Sequence, residues 1–506
     1  MFDLGTSFVA SVDRDPHALA IVDGATRLTY AEWYARISAL VVGLGEMGLT
    51  RGDRVLTAMQ NRWENASLHW ACQFAGIIVT PLNWRVKADE VDHGVDDSGA
   101  KAVFYEEVTE DAVATSAKAA GLIRKSAAEL AELMQGNAPL AVPQASAEDW
   151  SLMLYTSGTT SKPKGVPRRH RAERAGALAH VAQNLYRHGE RTLGVMPLYH
   201  TMGVRSLIAS SLTGGAFICL PRFDAGNAID LIEAEAITNL YLVPTLYHDV
   251  VHHEGFSPAR VKSVTKLGYA GASMTNGLLR KLNDAFKPEL FVNHYGSSEI
   301  YTFSIEQKAA AKPGSAGRAG INQMIRVAKL NAADPDELAA PGEEGEIIAL
   351  AKSDEAFEGY WNRPDATAKA LRKGWYFTGD TGFFDEDGDL FVTGRADDMI
   401  ITGGENVSPV EVESCLSLHD DVAEVAVVGL PDERWGKVVT AFVKRRGNVT
   451  AEELDQHCKT SGLANFRRPR RIVFVEDIPK SPVGKILRRM LVAGEYREEQ
   501  RIPEHQ

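Results

Sequence analysis

The residues most suited to chemistry lie in one short segment, LMLYTSGTTSKPKGVP, at positions 152–167. Its bulky first residues, 152–155, are typical of a buried strand. The hydroxyl, glycine and lysine residues that follow are unsuited to a packed core, but they can surround the phosphates of a nucleotide from several sides. The spacing is not that of a Walker A loop, because the residue five positions after Gly158 is Pro163. A solvated Ser/Thr loop is the plainer alternative.

Three further candidate sites follow predicted strands. Tyr199 and His200 come after a strand predicted to end at Met196, where open α/β sheets bind ligands; a structural histidine is the alternative. The turn of small residues at 270–273 leaves space for a flat ligand, although close packing explains it equally well. The segment YGSSE at 295–299 places a carboxylate among hydroxyls, which could hold a magnesium ion against phosphate oxygens.

Three patterns that look functional are better explained as structure. The G-x-G-x-x-G pattern at 43–48 closes a predicted amphipathic helix, whereas a dinucleotide fingerprint opens a helix after a strand. The histidine cluster at 248–253 has helical spacing but lacks the Glu and the third ligand of a catalytic zinc motif, so a solvated helix face is favoured. The acidic run at 385–389 has its glycine at the fourth position, which favours a hairpin turn over a calcium loop.

The elements that must position these residues form an alternating series. From Arg54 onwards strand-like runs alternate with helical ones, which predicts parallel sheets covered by helices. A β-meander follows near residue 375, and its Asp380 could bind two ribose hydroxyls. Past a polar stretch at 395–398 the order becomes β-β-α-β-β, a compact α+β unit. In its segment FRRPRR, Phe466 could stack on a base and the arginines could meet a phosphate; a basic surface strand is the alternative.

Composition excludes several classes of protein. At 506 residues the chain is too long for one core, and 44% hydrophobic residues, 24% charged residues and a net charge of -12 are ordinary for a soluble enzyme. Nucleic acid is not an expected partner, because no basic surface extends over a domain. The four cysteines show no metal-ligand spacing, which predicts reduced, buried thiols of a cytoplasmic protein. No signal peptide or membrane span is expected.

Together these segments resemble the adenylate-forming superfamily of acyl-CoA synthetases, adenylation domains and luciferases, over nearly the whole chain. YTSGTTSKPKGV matches the phosphate loop of the family, MPLYH its gate region, YGSSE its Y-G-x-T-E segment and GWYFTGD its ribose-binding strand. GRADDMIITGGENVSPVEVE matches the hinge and the pantetheine-side loop, and PKSPVGKILRR the C-terminal lysine. PLYHTMG, DERWGKVVTAFV and LANFRRPRR are most similar to the benzoate and 4-chlorobenzoate CoA ligase branch. Ser161 replaces the usual glycine of the loop, and Ser298 replaces a threonine.

The resemblance implies a fold and a domain division. It implies an α/β chain whose large N-terminal domain, 1–396, combines helix-covered, mostly parallel sheets with a β-barrel-like part. A small, mobile α+β C-terminal domain, 397–506, would carry the catalytic lysine and the CoA contacts and would rotate about Asp397.

The resemblance also implies site residues. The catalytic residues would be Lys485, His200 and Glu299, and Glu299 with Ser298 would hold Mg2+ and the α-phosphate. The ATP phosphates would contact Thr156, Ser157, Gly158, Thr159, Thr160 and Lys164. The rest of the nucleotide would contact Gly271, Ala272, Tyr295, Gly296, Ser297, Asp380 and Arg395, the last two at the ribose. Coenzyme A would contact Gly403, Gly404, Glu405, Trp435, Phe466, Arg468, Arg470 and Arg85. The acyl pocket would be formed by His200, Met202, Gly271, Ser297, Ile300 and Tyr301.

The activity that the resemblance implies is ATP-dependent formation of an acyl-AMP and then of an acyl-CoA thioester. The pocket residues are mostly apolar and include no charged partner for a second carboxylate, which favours an aromatic or alicyclic monocarboxylate. A short or branched aliphatic acid and the loading of a carrier protein are the alternatives. The resemblance leaves a homodimer open and implies Lys485 as a target of acetylation.

Overall fold

Three β-sheets organise the chain. The computed structural model describes residues 1–156, 163–395, 398–481, 484 and 486–499. Within these residues the N-terminal part carries a six-stranded and a fourteen-stranded sheet, and the C-terminal part carries a five-stranded sheet. The predicted boundary between residues 396 and 397, and the predicted hinge Asp397, fall outside the described residues and remain predictions.

The elements of the N-terminal part alternate as predicted. Its helices are α1 (Leu4–Arg14), α2 (Tyr30–Glu46), α3 (Trp63–Ala75), α4 (Ala88–Ser98), α5 (Glu110–Thr115), α6 (Ala127–Leu133), α7 (His170–Gln183), α8 (Thr201–Leu212), α9 (Ala225–Ala234), α10 (Pro244–His252), α11 (Asn276–Phe286) and α12 (Pro364–Ala370). Two 3-10 helices span Glu107–Thr109 and Ala119–Gly121. Its strands are β1 (Leu19–Asp23), β2 (Thr26–Thr29), β3 (Arg54–Ala58), β4 (Ile78–Pro81), β5 (Ala102–Tyr105), β6 (Ile123–Ser126), β7 (Trp150–Thr156), β8 (Lys164–Arg169), β9 (Arg191–Gly194), β10 (Ala216–Cys219), β11 (Asn239–Leu242), β12 (Lys266–Ala270), β13 (Leu290–Tyr295), β14 (Ser304–Glu306), β15 (Ser315–Ala319), β16 (Ile325–Lys329), β17 (Gly345–Leu350), β18 (Leu371–Arg372), β19 (Trp375–Phe384) and β20 (Leu390–Arg395).

The sheets are parallel where helices cover them. The six-stranded sheet has the order β6-β5-β3-β4-β7-β8, and only β7 and β8 pair antiparallel. In the large sheet β1, β10, β9, β11, β12 and β13 are parallel neighbours. Antiparallel strands continue this sheet in the order β13-β14-β15-β20-β19-β17-β16. The helix-covered parallel sheets are confirmed, and the part predicted to be barrel-like is this antiparallel extension.

The C-terminal part has the predicted β-β-α-β-β order. It contains β21 (Ile400–Thr402), β22 (Glu405–Val407), α13 (Pro409–Leu416), β23 (Val422–Asp432), β24 (Gly436–Arg445), α14 (Ala451–Thr460), β25 (Arg471–Phe474) and α15 (Arg488–Val492). Its own apolar core includes Val412, Val427 and Leu454, all fully buried. Such a separate core is what allows a unit of this size to fold as a domain.

Helix α2 shows how local pattern specifies packing. Its fully buried face is formed by Trp33, Ile37, Leu40 and Leu44. These residues recur every three or four positions, which places them on one side of a helix. The helix continues through Gly43 and Gly45, so the predicted glycine terminator acts later than expected. Gly48, at φ +82°, lies beyond the helix end and turns the chain.

The four cysteines are free thiols. Cys72, Cys219 and Cys458 are buried, as predicted for all four. Cys415 is only half-buried, because it lies at the edge of the small core that contains Cys458.

The acidic run forms the hairpin turn between β19 and β20 that the sequence predicts, with Gly388 at φ +83°. Carboxylate oxygens of Asp385, Asp387 and Asp389 converge there. Lys312 Nζ lies 2.6, 3.0 and 2.5 Å from these three carboxylates. The ammonium group therefore offsets part of their negative charge, and the turn interpretation stays favoured over a calcium loop.

The C-terminal part contacts α10 through polar groups. Thr245 Oγ1 donates a hydrogen bond to the Gly484 carbonyl oxygen at 3.1 Å. Arg446 Nη2 lies 3.0 Å from His252 Nε2, and His252 Nδ1 lies 2.8 Å from the carbonyl oxygen of residue 248. The helix face predicted to be solvated is thus half-buried against the C-terminal part. Both ring nitrogens of His252 have protein partners, and this leaves neither of them available to a zinc ion. Among the described helices, none is long and apolar enough to cross a membrane.

Buried histidines couple this fold to pH. Burial lowers the pKa of His69 to about 3 and that of His170 to about 4. The unfolded chain binds protons at these positions below about pH 6.5, whereas the folded chain excludes them until lower pH. We expect the free energy of unfolding to fall as the pH drops from 6.5 towards 4, by up to about 1.4 kcal/mol per pH unit for each such histidine. Urea titrations at a series of pH values measure this slope.

Two histidine variants test whether burial causes this pH dependence of the free energy of unfolding. His170→Gln should reduce the pH dependence, because one titrating group of the unfolded chain is lost. His17→Gln, at an exposed position, should leave the slope unchanged. A free energy of unfolding that stays constant between pH 6.5 and 4.5 would contradict the expectation.

Candidate active site

Strands β7 and β8 come directly before and after the phosphate-loop residues in the sequence. They pair in antiparallel register with Thr156 opposite Lys164, and both residues are half-buried. The intervening residues 157–162 lie outside the described residues. Among them are Ser161 and the predicted phosphate contacts Ser157, Gly158, Thr159 and Thr160.

Lys164 and Glu299 both contact Tyr360, Lys164 at its ring and Glu299 at its hydroxyl group. Lys164 Nζ is 4.2 Å from the ring centre of Tyr360, and the Tyr360 hydroxyl donates to Glu299 Oε1 at 2.7 Å. Burial and then the Glu299 carboxylate raise the pKa of Tyr360, so the phenol keeps the proton that it donates. Tyr360 gives no signal in the sequence, because an aromatic residue in the segment FEGYW is more typical of packing than of a site.

The backbone of Glu299 is held from both sides. Its carbonyl oxygen accepts hydrogen bonds from Arg168 Nη1 at 3.0 Å and from the Phe357 amide at 2.8 Å. Its own amide donates to Ser297 Oγ at 3.2 Å, and the residue is 7% exposed. Magnesium bound with nucleotide phosphates usually takes one or two protein carboxylates. Glu299 beside the half-buried Ser298 fits such an ion.

The predicted ribose residues form a connected group. Asp380 and Arg395 are opposite each other in the β19–β20 register, and Asp380 Oδ1 lies 3.3 Å from Arg395 Nη1. The Tyr295 hydroxyl donates to Asp380 Oδ2 at 2.7 Å. Burial, followed by the Asp380 carboxylate, raises the pKa of Tyr295 well above its usual value. The structure therefore joins the end of β13 to the predicted ribose strand.

Glycines follow the ends of β12 and β13, where the backbone could not accommodate most other residues. A Cβ on Gly296 would lie 2.0 Å from the Tyr301 carbonyl oxygen, so another residue there would displace the turn after β13. Gly271 has φ +83°, a conformation that favours glycine, and Gly271 and Ala272 are exposed at the end of β12. Nucleotide contact at these residues stays a prediction.

His200 caps the N-terminus of α8. Its Nδ1 accepts a hydrogen bond from the Met202 amide at 3.3 Å. The preceding strand ends at Gly194 instead of Met196, because Leu220 makes the last sheet hydrogen bond with the Gly194 carbonyl. His200 still lies in the connection at the carboxyl end of the strand, as predicted, and it is half-buried.

A cavity of about 380 Å³ lies beside this connection, between the two parts of the chain. Its lining includes Arg85, Pro197, Thr245, Lys480 and Gly484. Burial lowers the pKa of Arg85. Lys485 lies outside the described residues, but the adjacent Gly484 is held against the large part by Thr245.

Four of the predicted CoA residues lie close together in the C-terminal part. The Gly403 amide donates to the Trp435 carbonyl at 3.0 Å, and a Cβ on Gly403 would lie 2.7 Å from the indole ring. Gly403 and Gly404, at φ +60° and +86°, turn the chain between β21 and β22. The Arg470 guanidinium lies 4.4 Å from the centre of the Trp435 ring.

The other predicted CoA residues have separate surroundings. Glu405 is exposed at the start of β22. Phe466 packs against the core of the C-terminal part, and Arg468 forms an ion pair with Asp455 at 3.5 Å. The structure places Arg85 on the large part, at the cavity described above.

Three of the predicted acyl residues, Met202, Ile300 and Tyr301, belong to three different buried clusters. Met202, 1% exposed, packs with Tyr241 and Ala270. Ile300 instead packs with Phe303 and other residues of the antiparallel extension, in a different buried cluster. The structure therefore does not bring Ile300 to Met202, because neighbouring residues after β13 point into different cores.

A buried charged side chain lies close to Met202 and Tyr301, and the mostly apolar lining of the acyl pocket stays a prediction. Arg205, one turn after Met202 on α8, is 2% exposed. Its Nη1 donates to His294 Nε2 at 3.0 Å and to the Tyr301 carbonyl at 3.2 Å, and its Nη2 donates to the Tyr241 hydroxyl. The sequence signal was a lone arginine in an apolar helix, which does not reveal which way the side chain points.

This fold and site define an adenylate-forming enzyme, and the comparisons agree. The AMP-binding enzyme family model matches residues 8–361, and the model of the AMP-binding enzyme C-terminal domain matches residues 411–485. The chain belongs to the AMP-binding enzyme family. The predicted membership of the adenylate-forming superfamily is confirmed.

Individual relatives span nearly the whole chain. A 4-chlorobenzoate-CoA ligase of Arthrobacter sp is 36% identical over 98% of this chain and 96% of its own length. A long-chain-fatty-acid-CoA ligase of Mycobacterium tuberculosis is 33% identical over 94% of this chain and 95% of its own. The crystal structure of ATP-bound MatB from Rhodopseudomonas palustris has a TM-score of 0.88 at 27% identity, covering 97% and 99% of the two chains. The prediction of an AMP-forming carboxylate-CoA ligase is confirmed at the level of the family.

The bridge between Lys164 and Glu299 is testable at Tyr360. Tyr360→Phe removes the hydrogen bond to Glu299 but keeps the ring beside Lys164. We expect about a tenfold loss in kcat/KM for ATP, which corresponds to one hydrogen bond to a charged group, measured by pyrophosphate release. Tyr34→Phe is the matched control, because it removes another buried tyrosine hydroxyl bond, to the Ala141 carbonyl. Equal losses in both variants would contradict a role for Tyr360 in the site.

Proposed function

We propose that this chain activates a carboxylic acid with ATP and transfers the acyl group to coenzyme A. The observation that carries the proposal is the connected arrangement of Lys164, Tyr360 and Glu299 next to the Asp380–Arg395 pair. Lys164 supplies positive charge for the phosphates. Glu299 supplies a carboxylate for a metal ion, and Asp380 supplies one for the ribose hydroxyl groups. The ATP-bound relative supports the choice of nucleotide.

The first step is substitution at phosphorus. An oxygen of the carboxylate attacks the α-phosphorus of ATP, the bond to the leaving pyrophosphate breaks, and an acyl-AMP results. Such transfer depends on positioning and on stabilising negative charge. Lys164 and the loop before it would contact the phosphates, and Asp380 would accept hydrogen bonds from two ribose hydroxyls. Glu299 would hold Mg2+, which when bound neutralises phosphate charge.

The second step is acyl transfer to sulfur. The CoA thiol, losing its proton, attacks the acyl carbon, and AMP leaves with the bonding electrons. The Gly403–Gly404 turn against Trp435 would line the pantetheine path. Arg85, Phe466, Arg468 and Arg470 would contact the nucleotide of CoA.

The two steps need different parts of the C-terminal domain, 397–506. Lys485 would bridge the carboxylate and the α-phosphate in the first step, and rotation about Asp397 would bring the Gly403 turn to the site for the second. The contact of Gly484 with Thr245 supports the first orientation in this structure. A domain boundary at 396/397 goes with this proposal.

For the acid, an aromatic or alicyclic monocarboxylate is the first choice. The relative with the higher identity of the two described above is named for a chlorobenzoate, and the buried Tyr241, which packs with Met202, offers a flat apolar surface. An aliphatic acid is the second candidate, because another relative is named for long-chain fatty acids. Loading of a carrier protein is a third; the tryptophan and arginine of the CoA surface favour free CoA over it.

Lys485 separates the two half-reactions. Lys485→Ala should abolish acyl-AMP formation from acid and ATP, yet retain thioester formation from a supplied acyl-AMP. Stopped assays of the two half-reactions measure this. Arg468→Ala is the matched control, since it should impair only the CoA step. Equal loss of both half-reactions in Lys485→Ala would contradict the assigned role.

A panel of acids tests the activity itself. We expect pyrophosphate release with aromatic and alicyclic acids, and a stoichiometric acyl-CoA product once CoA is added. Release of pyrophosphate without any thioester would instead favour carrier loading. Turnover confined to unbranched aliphatic acids would favour the second candidate.

A further inference from the structure

The first turn of α11 contacts the end of α13, and this contact joins the large part of the chain to the C-terminal part. Helix α11 begins at Asn276, shortly after the turn at 270–273, and α13 ends at Leu416. A Cβ on Gly277 would lie 2.6 Å from the backbone carbonyl oxygen of Ser417. Both residues are half-buried. Glycine is therefore the residue that lets these two backbones approach so closely.

Neither backbone can move aside without disturbing its own part of the chain. The Ser417 amide donates to the Glu413 carbonyl at 2.9 Å, and its hydroxyl donates to the Ser414 carbonyl at 2.8 Å. The carbonyl oxygen of Ser417 thus belongs to a hydrogen-bonded helix end. On the other side, Gly277 belongs to α11, whose Leu282 is fully buried in the core of the large part. A side chain at position 277 would therefore displace one part from the other.

The contact is also electrostatically favourable. The N-terminal end of α11 carries a partial positive charge, and the C-terminal end of α13 carries a partial negative charge. The N-cap residue of α11, Thr275, makes no side-chain hydrogen bond to the first turn. The Ser417 carbonyl therefore lies close to a helix end whose amides its own cap does not neutralise.

Two other contacts between the parts involve side chains. Thr245, near the start of α10, donates to the Gly484 carbonyl, and His252, at the end of α10, contacts Arg446. Side chains can rotate and keep such contacts when a domain tilts slightly, whereas two backbones in direct contact cannot. Together the contacts at both ends of α10 and at the start of α11 restrict the tilt of the C-terminal part, and the one at Gly277 is the least adaptable of the three.

We propose that Gly277 is a positioning residue for acyl-AMP formation. The absence of a side chain there allows the end of α13 to pack on α11, and this contact holds the C-terminal part in the orientation that brings Lys485 to the site. The inference rests on the proposed function, in which this orientation serves the first half-reaction and a rotated one serves the second. Rotation separates α13 from α11, so the second half-reaction does not depend on Gly277.

Substitutions at Gly277 in the full-length enzyme test this role. Gly277→Ala should lower kcat for acyl-AMP formation by about tenfold or more, and Gly277→Leu by about 100-fold or more, because small misplacements of a catalytic group are costly. Thioester formation from a supplied acyl-AMP should stay within about twofold in both variants. The melting temperature should stay the same or rise, because Ala and Leu favour a helix more than Gly does. A loss confined to one half-reaction without loss of stability is not expected from a merely structural residue.

Gly45 of α2 provides the matched control. It is an exposed helical glycine, and a Cβ there meets no other atom within 4 Å. Gly45→Ala and Gly45→Leu should therefore keep both half-reactions. Full acyl-AMP formation in Gly277→Leu would overturn the inference, and so would equal loss of both half-reactions in that variant.

Hydrogen exchange of the unliganded protein tests the contact without any substrate. Gly277→Leu should speed amide exchange in the segment 414–421 of the C-terminal part, because this helix end loses the contact that covers it. Gly45→Leu should leave exchange in this segment unchanged. Unchanged exchange at 414–421 in Gly277→Leu would overturn the inference. An unmodified enzyme that activates no acid would instead remove the proposed function, and the exchange result would still decide the contact at Gly277.

Discussion

A guanidinium that is shielded from water must find its partners inside the protein, and Arg168 of β8 finds them in three segments. Its Nε pairs with the Glu173 carboxylate of α7, and its Nη1 donates to the carbonyl oxygens of Glu299 and Glu355. Removing one partner of such a buried pair costs about 3–5 kcal/mol. The six-stranded sheet and the chain that follows β13 are therefore held in one arrangement, and the carboxylate of Glu299 is oriented through its backbone.

The same side chain connects the residues predicted to bind the nucleotide with Tyr301, which is predicted to contact the acyl group. The Arg168 guanidinium lies 3.9 Å from the Tyr301 ring centre, and the Tyr301 hydroxyl donates to the carboxylate of Glu173. The Tyr301 carbonyl in turn accepts from Arg205. In the proposed reaction the acyl carboxylate must meet the α-phosphate, so a rigid link between the two halves favours a fixed relative position of the reacting groups.

The contacts between the two parts of the chain have a different character. Thr245 with Gly484 and Arg446 with His252 are polar contacts at the rim of α10. Polar interfaces of this kind are typical of domains that change orientation. The buried contacts of Arg168, in contrast, hold the large part of the chain in one rigid arrangement. The proposed alternation between two half-reactions needs both: a rigid large domain and a small domain that can leave it.

The sequence by itself determined the elements and the linear motifs: the apolar strand before the phosphate loop, the buried stripe of α2, the hairpin turn at Gly388 and the resemblance that these motifs carry. Such features depend on periodicity and on neighbouring residues, which a sequence displays directly. Only the tertiary structure decided that Tyr360 lies between Lys164 and Glu299, that Ile300 belongs to another core than Met202, and that Arg205 is buried behind the acyl residues. These contacts join residues far apart in the chain, and they follow from strand order and side-chain direction, which no local pattern encodes.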